Sequence, residues 1–239
     1  MGLKNYRICR NCHFKGNGKY CAECGQEYQV RRITLSALIH DVTHLFTHLD
    51  KGFLHTMKLL MTSPGHFQLN YIEGNRSRHQ KPFSMFFICA SVAAILRYWV
   101  YSALIRYYNV GEVNEAEFFH NYMVLVHLFL LPLYVLVFYT LFKRSGYNYA
   151  ETGVLVLYTF SIIFVIVTLI SFLKFLSPEL DTAYLEFPVI LLYNMITMKN
   201  FYRKQRPFFV YLKAAGGVVF IFLIAHYSEE IARRLIFNN

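Results

Sequence analysis

The sequence predicts an all-α polytopic membrane protein with about five transmembrane helices and a small cysteine-rich head at its N terminus. Hydrophobic residues make up 56% of the 239 residues and charged residues only 16%, which is more apolar surface than a soluble domain of this length can bury. Several apolar runs also reach the ~20 residues that a helix needs to cross a bilayer. We divide the chain into a head at 1–28, a connecting region at 29–82 and a membrane body at 83–239.

The head is defined by two C-x-x-C pairs, Cys9 with Cys12 and Cys21 with Cys24, separated by eight residues. Each pair can form a tight turn that directs two thiolates at one metal ion, and Gly25 suits the end of the second turn. Four thiolates complete a tetrahedral site, so we predict a zinc ribbon with a structural zinc ion and no open position for catalysis. A redox pair is the alternative, but it would need a thioredoxin-like βαβ context.

The connecting region begins with apolar residues that repeat at helical spacing. They are Leu35, Leu38, Ile39, Val42, Leu45, Phe46, Leu49 and Phe53. This stripe predicts an amphipathic helix that lies in the membrane interface or caps the helix bundle. We expect a second short helix at 53–62.

Histidines occupy the polar face of this predicted helix. His40, His44 and His48 follow one another at intervals of four residues, and His55 falls on the same side. Such spacing suits a metal site, but histidines on a polar face are also commonly solvated or close to lipid phosphate. The sequence leaves these alternatives open.

A basic hinge precedes the first apolar run. It consists of Arg76, Arg78, His79 and Lys81, beside Gly74. We expect these four residues to bind anionic lipid headgroups or a partner. The same cluster would also hold this segment in the cytoplasm, since cytoplasmic loops are rich in Lys and Arg, and one cluster can do both.

Five apolar runs are candidates for membrane spans. They are 83–105, 121–142, 152–173, 183–202 and 208–227. The fourth run is the weakest, because it contains Glu186 and Pro188 and its uninterrupted apolar core covers only 187–198. Whether this run spans fully or re-enters the membrane stays open at this stage.

Loop charges favour five spans with the N terminus in the cytoplasm. Residues 1–82 carry a net charge of +7. With five spans the remaining basic loop residues are cytoplasmic and the acidic ones lie outside. The basic set is Lys143, Arg144, Arg203, Lys204 and Arg206, and the acidic set is Glu112, Glu115, Glu117, Glu179 and Asp181.

Polar residues interrupt the apolar runs at a few positions. Arg97, His127 and Asn194 are the main exceptions. Ionisable and strongly polar groups within a membrane are costly unless they face an internal cavity or a partner. We therefore treat these three residues as a candidate intramembrane polar site.

The first hundred residues resemble an uncharacterised bacterial family of small polytopic membrane proteins with an N-terminal double C-x-x-C. The resemblance rests on Cys9–Cys24 with Gly25-Gln26, Lys51-Gly52-Phe53 with Thr56, Pro64-Gly65, Tyr71-Ile72-Glu73-Gly74-Asn75-Arg76 and Lys81-Pro82-Phe83. It implies a zinc-ribbon head, a linker helix and a multi-span body in the bacterial cytoplasmic membrane. The family carries no established activity.

Three classes of function fit these features. The first is a membrane adaptor or scaffold whose cytoplasmic head binds an unidentified protein or a second copy of the chain. The second is a small transporter or pore, which would use Arg97, His127 and Asn194. The third, a membrane-embedded enzyme, is disfavoured because the sequence lacks a nucleophile elbow, a phosphate loop and an open metal site. Nucleic-acid binding is also disfavoured, since few aromatic residues lie among the basic residues of the head.

Overall fold

The computed structural model describes residues 6–43, 52–77, 79–109, 111 and 113–237. The head contains two short antiparallel strands, β1 (Arg7–Ile8) and β2 (Lys15–Gly16). The helices are α1 (Leu35–Thr43), α2 (Phe53–Thr62), α3 (His66–Ile72), α4 (Pro82–Tyr108), α5 (Val113–Asn121), α6 (Met123–Leu141), α7 (Tyr149–Ser171), α8 (Ala183–Phe201) and α9 (Pro207–Phe237). The described part of the chain is therefore mostly helical, as the sequence predicts.

Four of the described helices are long and apolar enough to cross a membrane. They are α4, α6, α7 with its 3-10 extension to Phe175, and α9. Helix α7 lies at the centre, because protein buries 72% of its most apolar window, against 28–44% for the other three. It packs against α4, α6 and α8. The protein is thus a multi-pass membrane protein by helix length and composition.

Helix α8 corresponds to the weakest predicted span. Its 19 residues give a length of about 28 Å, as long as α6. It runs from the end of the bundle where α7 finishes to the end where α7 begins, where Tyr202 stacks on Phe142 at 4.0 Å. Glu186, Pro188 and Lys199 lower its apolar character, and it is not among the four helices that meet the criteria of length and composition.

We call the end of the bundle where α7 begins the head end, and the opposite end the distal end. Helices α4, α7 and α9 begin at the head end, whereas α6 and α8 finish there. The connections after α6 and α8 therefore lie at the head end, and the connection between α7 and α8 lies at the distal end. Each later site is located with respect to these two ends.

The amphipathic stripe predicted for the connecting region is only partly described. In α1, Leu38 is buried and its side chain lies against Gly153 of α7. Leu35 and Ile39 are exposed. The predictions for 44–51 lie outside the described residues. Phe53, at the other end of the stripe, is partly buried against the same core, so the stripe is anchored to the body at two of the four positions whose side chains are described.

The second predicted short helix is confirmed as α2, and a further helix, α3, lies between it and the predicted hinge. The turn between them packs closely on α8. Gly65 has φ +81°, and a Cβ at this position would overlap the carbonyl oxygen of Thr197. The amide of Asn200 also donates to the Pro64 carbonyl at 2.9 Å. The close approach explains why this turn carries a glycine.

The segment before α4 is bound in the core of the head end. The Gln80 N–H donates to Thr56 Oγ1 at 3.0 Å, and the Gln80 side-chain amide donates to Ser84 Oγ at 2.5 Å. The Tyr158 hydroxyl donates to the Gln80 carbonyl at 2.5 Å. These bonds join α2, α4 and α7 and satisfy polar groups that are otherwise expensive to bury.

Candidate metal centre and intramembrane cavity

The two C-x-x-C turns of the head share one backbone arrangement. The N–H of His13 donates to the Cys9 carbonyl at 3.0 Å, and the N–H of Gly25 donates to the Cys21 carbonyl at 2.9 Å. Both closing residues are left-handed, with φ +59° at His13 and +72° at Gly25. The second turn has a glycine, Gly25, at this position, and glycine adopts the left-handed conformation without strain, as predicted from the sequence.

These turns bring the four predicted ligand atoms together. The Sγ atoms of Cys9 and Cys24 are 3.6 Å apart, those of Cys12 and Cys21 are 3.4 Å apart, and all four lie within 4.8 Å of one another. A tetrahedral ion with metal–sulfur bonds of ~2.3 Å would separate its sulfurs by about 3.8 Å. All four residues are free thiols. The cluster therefore has the donor set and size to hold one metal ion.

The head also favours the thiolate form of part of this cluster. Burial opposes ionisation of Cys21, but the backbone N–H groups of Cys24 and Glu23 outweigh it and lower the pKa of the Cys21 thiol to about 6. Backbone hydrogen bonding at Phe14 lowers the pKa of Cys12, yet burial and the neighbouring thiols raise it to about 12. A bound cation would relieve the repulsion among the four sulfurs.

The metal centre is docked on the membrane body through its first turn. The Arg10 guanidinium donates to the Glu73 carbonyl at 2.6 Å, and the Asn11 amide donates to Ser77 Oγ at 2.5 Å. Both acceptors lie in the segment after α3. The head is therefore held at the head end by two residues of its first C-x-x-C turn.

A second set of bonds ties the segment after the head to the start of α7. The Arg32 guanidinium donates to both carboxylate oxygens of Glu151, at 2.9 and 2.6 Å, and to the Gly146 carbonyl at 2.9 Å. The Asn148 amide donates to the Ile33 carbonyl at 3.0 Å. Asn148 and Glu151 also form a capping box that begins α7. One cluster thus caps the central helix and positions the connecting region.

Arg76, predicted to face lipid headgroups, is directed at backbone carbonyls. Its Nε donates to the Tyr71 carbonyl at 3.1 Å, and its Nη2 donates to the carbonyls of Ile72 and Arg31 at 3.1 and 3.2 Å. The guanidinium therefore satisfies the C-terminal carbonyls of α3 and joins that helix to the connecting region.

The other predicted hinge and histidine residues have varied surroundings. The His79 ring stacks on His55 at 5.5 Å and meets the edge of Phe67 at 5.0 Å. Burial, followed by the charge of His55, lowers the pKa of His79. Lys81 is exposed at the start of α4. Arg78, His44 and His48 lie outside the described residues, and α1 includes His40.

The structure brings Arg97, His127 and Asn194 to the walls of one cavity of about 380 Å³. The cavity lies in the distal half of the bundle, between α4, α6, α7, α8 and α9. The other polar residues lining it are Tyr101, Lys174, Asp181, Thr182, Glu186, His226, Glu229 and Arg233. The three polar exceptions in the sequence are therefore parts of a common site, which is the setting in which membrane helices tolerate such groups.

His127 connects α6 with α9 across this cavity. Its Nδ1 lies 3.1 Å from the Met123 carbonyl, and its Nε2 lies 3.6 Å from a carboxylate oxygen of Glu229. The ring also meets the edge of Phe164 at 5.3 Å. When Nδ1 is the protonated nitrogen and donates to the Met123 carbonyl, Nε2 is the nitrogen that faces Glu229.

Two cations lie on the α4 side of the cavity. The Arg97 guanidinium carbon is 6.0 Å from the centroid of the Tyr101 ring, and Lys174 Nζ is 5.2 Å from the same centroid. Cations at these distances are attracted by the electron-rich face of the ring. This wall of the cavity is consequently positive.

Glu229 is one of the cavity residues that the sequence analysis missed. The last predicted span ended at 227, and the acidic and basic residues beyond it were left without a role. Helix α9 in fact continues to Phe237. Glu229 follows the lining residues Phe222 and Ala225 at helical spacing. That periodicity was the available signal.

Comparison with known proteins gives a partial match. Residues 50–93 match the model of a family described as a protein of unknown function (DUF3667). The match covers α2, α3 and the first part of α4, which includes most of the motifs of the resemblance noted above. The matched family has no described activity. No curated protein and no solved structure matches the chain.

Proposed function

We propose that the protein is a five-span protein of the bacterial cytoplasmic membrane with its N terminus in the cytoplasm. The connections at the head end supply support, because they contain Lys143, Arg144, Arg203, Lys204 and Arg206. Basic residues of this kind favour the cytoplasmic side. Helix α8 has the length and direction of a fifth span. Labelling of a cysteine introduced beside Asp181, but not beside Arg203, by an impermeant reagent added outside would test this topology.

We further propose that the head holds structural zinc and acts as a membrane adaptor. A single observation carries this proposal, namely that the docked head keeps several large apolar side chains and basic side chains exposed. The apolar ones are Tyr6, Ile8, Phe14 and Tyr20, and the basic ones are Arg7, Lys15 and Lys19. An exposed mixture of apolar and basic side chains suits a cytoplasmic protein with an acidic rim around an apolar patch.

The adaptor proposal is tested by cross-linking in native membranes followed by purification of the full chain. The triple variant Ile8→Ser, Phe14→Ser, Tyr20→Ser should lose one defined cytoplasmic protein and keep its metal content. A control variant at the distal end, Tyr107→Ser with Tyr108→Ser, removes comparably exposed aromatic residues and should keep that partner. Cross-links only to lipid, or the same partners in both variants, would contradict the proposal.

Lipid binding by the basic hinge remains a proposal for Arg78 and Lys81. The Arg76 guanidinium is engaged by three carbonyls, and the His79 ring packs on two other rings. We therefore expect Lys81→Gln to reduce retention of anionic lipid by the full chain more than Arg76→Gln does. An equal loss in both variants would contradict this division of roles.

A small transporter is the second candidate, and the cavity of about 380 Å³ is the observation that favours it. Ligand sites in transporters are formed within the bilayer by polar groups from several helices. His127 and Glu229 provide a protonatable pair that could couple transport to proton movement. Proton uptake by vesicles containing the protein, lost in Glu229→Gln and retained in the neighbouring Glu230→Gln, would support transport.

A further inference from the structure

One face of α8 supplies two polar groups to the cavity. Glu186, Ile190 and Asn194 follow one another at intervals of four residues and all line it. Asn194 is only 2% exposed. Its Oδ1 and the Oε1 of Glu186 are both buried and have no hydrogen-bond partner within the part of the chain that the structure describes. The cavity thus offers two hydrogen-bond acceptors along a single helix.

Such acceptors limit the chemistry of a ligand. A buried oxygen without a hydrogen bond costs free energy, so a ligand that donates to it gains affinity. An ionised carboxylate accepts only, and a cationic donor makes a stronger bond to it than a neutral donor does. A primary ammonium group has three N–H donors and a positive charge, whereas a quaternary ammonium group has the charge alone.

The remaining walls combine apolar side chains with basic residues and with two further carboxylates, Asp181 and Glu229. Aromatic rings of Phe160, Phe164 and Phe222 line the cavity together with aliphatic side chains. Arg97 and Lys174 lie beside Tyr101, on α4 and after α7, and not on the α8 face. A ligand can therefore direct its ammonium group to α8, an apolar portion to the aromatic walls and an anionic group to Arg97 and Lys174.

We infer that the cavity binds an amphiphile with a primary ammonium group, which donates hydrogen bonds to Glu186 and Asn194. An aminophospholipid headgroup and a free long-chain amine share this chemistry. The phospholipid would in addition place its phosphate near Arg97 and Lys174. The inference concerns the same cavity as the transporter candidate but requires binding only, and it is independent of the role of the head.

Native mass spectrometry of the full chain in detergent tests the inference with three probes. Phosphatidylethanolamine and phosphatidylcholine with the same acyl chains differ in the N–H donors of the headgroup, and dodecylamine has the ammonium group without the phosphate. We expect phosphatidylethanolamine to bind about tenfold more tightly than phosphatidylcholine, since one charge-assisted hydrogen bond is worth about a factor of ten or more.

Variants on α8 identify the binding site. Glu186→Gln removes the negative charge, Asn194→Leu removes the deep acceptor, and each should abolish the preference for phosphatidylethanolamine. Glu179→Gln makes the same change of charge in the α7–α8 connection, outside the cavity lining, and should retain it. Because Asn194 is the more buried residue, Glu186→Gln alone is sufficient if Asn194→Leu fails to fold.

The outcomes separate the sources of the ligand and the competing explanations. Competition by dodecylamine would indicate that the ammonium group and chain suffice, whereas binding of phosphatidylethanolamine without such competition would indicate that the phosphate is also needed. Preference for dodecylamine alone would identify a free amine. Equal binding of both phospholipids without dodecylamine binding, or a preference unchanged by both α8 variants, would overturn the inference. Binding without proton uptake would contradict the transporter and leave this inference standing.

Discussion

Replacing Arg32 by Met should release the connecting region from the start of α7. In the native protein the Arg32 side chain makes three hydrogen bonds, two to the Glu151 carboxylate and one to the Gly146 carbonyl. Glu151 is 3% exposed, whereas Arg32 is 64% exposed. Among the residues that the structure describes, the variant leaves this buried carboxylate with the N–H of Asn148 as its remaining donor.

The exposures set the expected size of this effect. Hydrogen bonds to a charged group contribute ~1.5–3 kcal/mol each, but water screens a largely exposed arginine and reduces the sum. We expect local opening to become more favourable, on the order of tenfold to hundredfold in its equilibrium constant, because the buried carboxylate loses its charged donor. The opening equilibrium of Arg32→Lys should lie between those of the native protein and Arg32→Met, because lysine retains the charge without the paired hydrogen bonds.

Hydrogen exchange of the full chain in detergent measures this local opening. Peptides covering residues 29–36 should exchange ten to a hundred times faster in Arg32→Met, because exchange reports the free energy of opening of each segment. Arg31→Met is the control, because it removes the same charge one residue earlier. The Arg31 side chain is exposed, and the hydrogen bond from Arg76 is accepted by the Arg31 backbone carbonyl, which the substitution keeps. If both variants exchange at the same rate, the Glu151 contact does not hold the connecting region.

Three further outcomes are expected. Gly65→Ala should lower the free energy of unfolding by about 1–3 kcal/mol in a detergent melt, because its Cβ overlaps the Thr197 carbonyl, whereas Gly216→Ala, with open space around it, should not. Cys12→Ser should lower the bound metal, measured by elemental analysis of purified protein, from one ion to well below one. The free energy of unfolding of the native protein should decrease as the pH falls below about 6.5, and that of His79→Gln should change less over the same range. Burial lowers the pKa of His79 from 6.5, so the stabilising neutral form is fully present above that pH and is lost as pH falls towards the folded pKa.

The head was predictable because its chemistry is local. The spacing of Cys9, Cys12, Cys21 and Cys24 determines which turns the chain can form, and Gly25 occupies the left-handed position that closes the second turn. No contact with the membrane body is required for this arrangement. The docking of the head was not predictable, since Arg10 and Asn11 meet partners more than sixty residues away.

The cavity was predictable as separate residues but not as a site. Arg97, His127 and Asn194 are recognisable from the sequence because polar groups are rare in apolar runs. Their convergence depends on how each helix rotates about its axis, and the apolar runs contain no strong periodic signal for that rotation. Glu229 was missed because the apolar run ends before the helix does.

For the basic hinge, the sequence identified the cluster but not what its side chains contact. A cluster of basic residues before an apolar run has the same composition whether the side chains face lipid or backbone. Arg76 caps α3 because that helix ends at Ile72, within reach of its guanidinium. The sequence analysis predicted no helix between α2 and the hinge, so the α3 carbonyls that bind Arg76 were not available to it.

The metal centre and the cavity are structurally separate, and α7 is the element between them. Arg32 of the connecting region, just after the head, bonds the first turn of α7 at Glu151, whereas the first cavity residue on that helix is Phe160, about 14 Å further along it. The intervening turns are buried on all sides, and a closely packed core switches only where it has a second discrete arrangement. Loss of metal in Cys12→Ser should therefore leave phosphatidylethanolamine binding within about twofold of the native value. A loss comparable to that of Glu186→Gln would instead identify α7 as a moving element that couples the two sites.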